Sequence, residues 1–469
     1  MTTPLLPFDV ETVPESDGVT ARAGLPLVVE TMRGLGLPES IRRHVRVRRR
    51  SSGYPEETKV EWLVALLASG GDCLDDIEVL RGDAGLCRLL GAKPPSAEAL
   101  RQFLYTFHDE GLIEQAMKAR PAGQQAYIPE ENAALRGLAQ VNVGFVHRVA
   151  AQGTCTQATL DHDATIQESH KREAQPHYKG GRGYQPSAIY WVEQDLVLVD
   201  EYRDGNVPAG MQNLPLIQRG FAALPATVTT RNFRADSACY DERVLKWLAN
   251  EQREDGAQGH IGFTISADMT EPLRRVCQAV TEDEWKPLED RVEETVRCAE
   301  VEFTPGDWPK DAWPLRYLAL RIQKKQGLLF ASGFDTKHLA VVTNRQDEIA
   351  DLIRWHWQKA GTIELIHDVT KNELAAAVPP CGRFGANAAW YRLSLLTYNV
   401  LSAMKSLALP SHLSAARPKR LRYSLFTLAG RIVSHAGRLV LRIGEQAEHI
   451  AGLIDARAKL AGLGVFGTT

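Results

Sequence analysis

Three acidic residues, Asp163, Asp236 and Glu364, have the settings in this 469-residue chain that metal-dependent chemistry would require. Residues Ala158 to Thr165 (Ala-Thr-Leu-Asp-His-Asp-Ala-Thr) read as a strand running into a pair of carboxylates. Side chains two apart on a strand point the same way, so Asp161, Asp163 and Thr165 share a face. Two acids at a strand end need a cation or a proton between them; taken alone, the same pattern also fits a turn with solvated acids. Residues Ala226 to Asp236 read as another strand, β-branched in its first half and again ending in an aspartate. Glu364 lies in a segment, Ile349 to Lys371, whose periodicity predicts one continuous helix. Trp357, Glu364 and Lys371 are spaced seven apart there, which puts them on one stripe.

The elements between these residues say how they are brought together. After the first strand, Ser187–Val192 and Leu196–Tyr202 read as two more, followed by a helix over Asn213–Leu224, the Asp236 strand, a helix over Tyr240–Asn250 and a strand over His260–Ser266. Three strands, helix, strand, helix, strand is the order of a ribonuclease-H-like sheet. In that order the first and fourth strands are neighbours, so Asp163 and Asp236 would meet although 73 residues apart (236 − 163). Ligand sites favour strand ends beside such a change of strand order.

Composition narrows the class. With 44% hydrophobic and 24% charged residues, the chain is globular and long enough for two to four domains. Its seven cysteines form no Cys-x-x-Cys pair, so neither a zinc site nor a disulfide scaffold is suggested, and the odd, scattered set reads as reduced and cytosolic. The start has no signal-peptide pattern and no apolar run reaches membrane-spanning length, so no membrane association is expected. The net charge of −3 is uninformative, but the basic residues cluster. Arg42, Arg43, Arg46, Arg48, Arg49 and Arg50 fall within nine positions and would repel one another without an anionic ligand, which points to DNA backbone. Ser96 is placed to cap a short helix, as in a helix-turn-helix module. Lys171, Arg172, Lys179 and Arg182 mark a basic hairpin loop beside the carboxylate strand. Arg417, Lys419, Arg420 and Arg422 open a basic stretch that Arg431, Arg438 and Arg442 continue as a helical stripe, with no acid between Glu373 and Glu445 to balance it. Contact with DNA is the reading of that stretch. Trp285, Trp308 and Trp313 either stack on unpaired bases or pack a sheet.

The chain resembles DDE transposases of bacterial insertion sequences and, within them, the group numbered thirteen-eighty. The resemblance rests on Leu160-Asp-His-Asp-Ala-Thr165, Tyr202-Arg-Asp-Gly-Asn206, Arg234-Ala-Asp-Ser237, Val342-Thr-Asn344, Gly361-Thr-Ile-Glu364, and Asn387-Ala-Ala with Thr397-Tyr-Asn399. It departs from the Tyr-Arg-Glu-Lys signature at Trp357 and Ala360 and keeps Glu364 and Lys371. It implies an α+β/α/β fold: a ribonuclease-H-like mixed sheet with helices, interrupted by a mainly β insertion and flanked by helical N- and C-terminal regions. The expected layout is a loose segment 1–20, a helical DNA-binding and connector region 21–155, a first catalytic part 156–266, the insertion 267–345, a second catalytic part 346–410 and a basic helical region 411–469. The resemblance also implies two Mg2+ ions, for which Mn2+ substitutes. Asp163 would bridge both, with Asp236 and Glu364 holding one each, and Asp161 is the alternate first acid. Asp163 is preferred because it precedes Ala-Thr in an Asp-x-Thr pattern. Lys371 and Trp357 would contact DNA. The implied partners are double-stranded DNA, as element terminal inverted repeats and target, and a second copy of the chain in a synaptic homodimer. The implied reaction is cut-and-paste transposition in the bacterial cytoplasm, at the nucleoid. A nuclease without strand transfer and an inactive DNA-binding descendant are the alternatives.

Overall fold

The computed structural model describes residues 14, 18–48, 53–306, 308, 313–444 and 450–463. Most of the segment 1–20, together with Arg49 and Arg50, lies outside the described residues. Among the described residues the strands, in chain order, are β1 (Val19–Thr20), β2 (Gln157–Ala164), β3 (Gln167–Glu168), β4 (Gln175–Pro176), β5 (Arg182–Tyr184), β6 (Ser187–Trp191), β7 (Leu196–Glu201), β8 (Thr230–Ala235), β9 (Ile261–Ser266), β10 (Lys286–Asp290), β11 (Glu294–Val301), β12 (Arg316–Lys324), β13 (Thr336–Thr343), β14 (Gly430–His435) and β15 (Arg438–Ile443). The chain divides into two compact units. One takes the described residues up to Thr106, Glu373–Ala375 and those from Val400 onward; the other takes Phe107–Asn372 and Ala376–Asn399.

The second unit is built on a nine-stranded sheet in the order β10-β11-β12-β13-β9-β8-β2-β6-β7. Pairings β2–β8 and β8–β9 are parallel, and the rest are antiparallel. Parallel neighbours need a crossover, supplied by the helices Asn213–Ala222 and Glu242–Ala249. Strand β2 is central. Ala158 to His162 are buried without alternation, the pattern of a strand covered on both faces. The chain leaves β2 toward β6 and β7 on one side, then returns to β8 and β9 on the other, so the sheet order reverses at the β2–β8 junction.

The segment between β9 and Ile349 contains the helix Glu271–Ala279 and strands β10–β13. Its strands do not form a sheet of their own. Strand β13 pairs with β9 and extends the central sheet. Leu288, Val296, Cys298, Leu318, Leu320 and Val341 bury one face of this extension against Ile349, Leu352 and Ile353 of the helix Ile349–Trp357, each large side chain contributing about 2 kcal/mol. At the other edge, β7 exposes backbone groups that a neighbouring strand would otherwise satisfy. Asn399, on the helix Phe384–Leu407, accepts from the Val197 amide at 2.7 Å and donates to its carbonyl at 2.8 Å. Asn142, on the helix Ala133–Ala150, donates to the same carbonyl at 3.0 Å.

Two sequence expectations are corrected. Ile349 to Lys371 is not one helix: an α-helix ends at Trp357, a 3-10 turn covers Gln358–Gly361, and a second α-helix runs Ile363–Glu373. The stripe through Trp357, Glu364 and Lys371 therefore does not exist. Likewise Arg431, Arg438 and Arg442 lie on the β14–β15 hairpin, not on a helix. Ala436 and Gly437 both take positive φ (48° and 74°), which closes a tight hairpin turn. Within the first unit β14 also pairs with β1, so Val19 and Thr20 are held in a sheet.

Candidate active site

Strands β2 and β8 run parallel in a register that sets Asp161 beside Arg234, so the next outward positions, Asp163 and Asp236, reach the sheet edge together. Asp161 is fully buried and its carboxylate is already taken. Arg234 donates Nε to its Oδ1 at 2.7 Å and Nη2 to its Oδ2 at 2.9 Å, and the Thr362 hydroxyl donates to Oδ2 as well. Arg234 also donates Nη1 to the Trp355 carbonyl at 2.6 Å, and its guanidinium lies 5.0 Å from the centroid of the Trp355 ring. Arg345 lies 4.4 Å from that ring. These contacts tie the segment 355–362 to the sheet and explain the broken helix: Thr362 leaves helical geometry at φ −114°, ψ −96°, and its hydroxyl is bound to Asp161.

Asp163, the penultimate residue of β2, faces an open cleft. Lys359 Nζ lies 3.5 Å from its Oδ1, and His367 Nε2 lies 3.8 Å from its Oδ2. Asp236 caps the 3-10 turn Ser237–Cys239 and accepts from the Ala238 amide at 3.1 Å. Burial raises the pKa of both acids, and the charge of Asp163 raises that of Asp236 further. Glu364 stands in the first turn of its helix with its side chain 55% exposed, 3.9 Å from Lys359 Nζ. The three carboxylates do not close to within 4.8 Å of one another; the Lys359 ammonium stands between Asp163 and Glu364. Lys371 donates to the Ile166 carbonyl at 2.7 Å and the Thr165 hydroxyl at 3.3 Å, and burial lowers its pKa. Asp163, Thr165, Glu364, His367, Asp368, Lys371 and Asn372 line an open cleft of about 400 Å³.

The sequence reading missed Lys359, His367 and Arg234. His367 is buried with neither ring nitrogen hydrogen-bonded, and burial pushes its pKa down to about 3, so it faces Asp163 as a neutral ring. Arg234 had a signal: it precedes Asp236 by two as Asp161 precedes Asp163, the spacing that pairs them on adjacent parallel strands.

The basic candidates divide. Arg172, Lys179 and Arg182 are exposed, and Lys171 half-buried, around the small β3-β5-β4 sheet in the same unit as the acids. Trp357 is turned toward the β10–β13 core and covered by Arg291, 5.2 Å from its ring. Trp285 is buried, with Arg321 stacked at 4.8 Å. In the first unit Arg42 pairs with Glu39 and Glu57, and Arg48 with Glu56. Arg43 and Arg46 are exposed. Arg417 pairs with Glu373, while Lys419 and Arg420 project outward. Arg422 is drawn into the fold, donating to the carbonyls of Leu67, Ala68 and Glu373.

Residues 9–465 match the protein-family model described as Transposase DDE domain group 1. The chain belongs to the DDE transposase family. A solved structure titled "Cryo-EM structure of piggyBac transposase synaptic complex with hairpin DNA (SNHP)" is similar at 10% identity and a TM-score of 0.44, covering 85% of this chain and 76% of that one. No curated protein matches. DDE transposases use divalent metal ions, and Asp163, Asp236 and Glu364 offer only oxygen donors, the type such ions take, with Asp163 and Asp236 half-buried. Among the described residues of this transposase no helix is long and apolar enough to cross a membrane.

Proposed function

We propose that this transposase cleaves DNA at the ends of a bacterial insertion sequence of the group numbered thirteen-eighty and joins the freed 3′-hydroxyls to target DNA. Asp163, Asp236 and Glu364 are the acids we assign to the metal site, on a ribonuclease-H-like core. The observation that carries the reading is the parallel β2–β8 register, which delivers Asp163 and Asp236 to one sheet edge beside the Glu364 helix. Asp161 is left out of the triad because Arg234 and Thr362 occupy both its oxygens. Bound there, two Mg2+ ions, or Mn2+ in their place, would supply activation of the attacking oxygen and stabilisation of the leaving one. The chain's own residues do the rest. Asp163 and Asp236 set the ligand geometry from the rigid sheet, while Glu364 closes on it from a helix edge. Lys371, fixed to the Thr165–Ile166 backbone, presents positive charge along the cleft where a phosphate would lie. Exposed Arg172, Lys179 and Arg182 extend that charge along the DNA, and Arg43, Arg46, Lys419 and Arg420 are the candidates in the other unit. Joining two ends calls for a homodimer acting in the bacterial cytoplasm.

The test is incubation of the full chain with duplexes carrying the element's own terminal repeats, with Mg2+ or with Ca2+, beside Asp163→Ala, Asp236→Ala and Glu364→Ala. Mg2+-dependent end cleavage lost in all three variants, with joining to a target plasmid, is the expected result. Cleavage without joining would leave a nuclease. Binding without cleavage under any metal would leave a DNA-binding relic.

A further inference from the structure

Lys359 is the one cation that contacts two of the proposed metal ligands among the described residues, and the proposed function does not use it. Its side chain is only 8% exposed. A buried ammonium requires compensation, and its compensation is loose. Asp163 Oδ1 lies at 3.5 Å and Glu364 Oε1 at 3.9 Å, whereas the neighbouring Arg234–Asp161 pair closes to 2.7 and 2.9 Å. The Asp161 pair fastens the turn to the sheet, and the Lys359 contacts have the length of ion pairs that can be exchanged. Its place is equally specific. The lysine contacts the acid carried by β2 and the acid carried by the helix beginning at Ile363, two of the three elements that bring the candidate acids.

We propose that Lys359 is an internal counter-cation: it holds Asp163 and Glu364 in place while the site is metal-free and competes with the incoming divalent ion for the same oxygens. This rests on the assignment of Asp163 and Glu364 as metal ligands. A monovalent ammonium leaves the three acids under-neutralised, so a divalent ion still enters. The lysine then stands beside a like charge and must withdraw. It is tethered to a 3-10 turn whose Gly361 has open space around it, so the side chain has room to move away.

The experiment uses Mn2+ alone, titrated into the full-length protein and followed by calorimetry and by electron paramagnetic resonance of the free ion, for wild type, Lys359→Met, Lys359→Gln, Lys359→Arg and Asp163→Asn. Wild-type binding should be lost in Asp163→Asn. Lys359→Met and Lys359→Gln should bind Mn2+ about tenfold more tightly, the scale of one like-charge contact removed, and Lys359→Arg should not. In EDTA the two neutral variants should melt below wild type and gain more on adding Mn2+, since ligand linkage follows affinity. Binding that depends on Asp163 but is unchanged or weakened in both neutral variants would overturn the role of Lys359 and leave the metal site standing. No binding that depends on Asp163 in any variant would overturn the metal assignment itself, and the counter-cation with it.

Discussion

Replacing Asp161 by asparagine separates the two roles its position allows, metal ligand or latch. The carboxylate is 0% exposed and holds Arg234, itself 1% exposed, by two hydrogen bonds. Removing one partner of such a buried pair costs about 3–5 kcal/mol, because the remaining charge stays buried without compensation. Arg234 keeps the Trp355 carbonyl, a weak contact to Gln358 Oε1 at 3.4 Å and the Trp355 ring, which places the loss near the lower end, about 3 kcal/mol. At about 2–4 °C per kcal/mol for a unit of this size, the transition should move down by about 6–12 °C. Urea unfolding followed by tryptophan fluorescence measures the free-energy loss, with the m-value unchanged. The double variant Asp161→Asn/Arg234→Met should recover part of the loss, since the orphaned charge goes with the arginine. Below its melting point Asp161→Asn should keep Mn2+ binding at Asp163. A change in stability under about 1 kcal/mol together with lost Mn2+ binding would make Asp161 a ligand and refute the latch.

Four further outcomes follow from other contacts. Asp236 has its folded pKa raised by burial and by Asp163, so the folded state resists its ionisation and stability falls as pH rises from the unfolded pKa through the folded one. Asp236→Asn should therefore be more stable than wild type in EDTA at neutral pH, while losing metal-dependent cleavage by about a thousandfold or more; denaturant midpoints at pH 4 and pH 7.5 check the sign. Asp204, partly buried in a polar hollow with Arg120, Tyr127, Gln175 and Asn206, is pushed up to about 7 by burial. Its ionisation costs stability between about pH 4 and 7, so Asp204→Asn should gain about 2–4 kcal/mol over wild type at pH 8 and little at pH 4. Arg422→Ala, which abandons three backbone carbonyls, should lose about 2–3 kcal/mol. Lys419→Ala and Arg420→Ala should stay within about 0.5 kcal/mol of wild type in stability, yet each should lower the salt dependence of DNA binding by about one unit of slope.

What could be read from the sequence divides along one line, between patterns local to an element and partners supplied by another. Strands β2, β6, β7, β8 and β9 are announced by their own apolar and β-branched runs, and their order brings Asp163 beside Asp236 with no information beyond the chain itself. Parity along β2 correctly places Asp161 on the side that meets the segment 355–367, yet parity cannot see that the register of β8 sets Arg234 against it. The helix break is hidden for the same reason. Gln358-Lys-Ala are good helix formers, and the turn exists because Arg234 and Asp161, more than a hundred residues earlier, bind the Trp355 carbonyl and the Thr362 hydroxyl. At the C-terminal end Arg431, Arg438 and Arg442 have spacings of seven and four that imitate a helical stripe, although Ala436-Gly437 turns them into a hairpin. Charge counting fails at Arg422, because a guanidinium bound to carbonyls and one offered to phosphate are the same letter. Lys359 joins both failures: its approach to Asp163 depends on a turn that local propensity does not reveal, and its value depends on acids from two other elements. The three candidate acids could be picked out because each lies at or beside the end of an element. The groups that contact them could not, because each acts across elements.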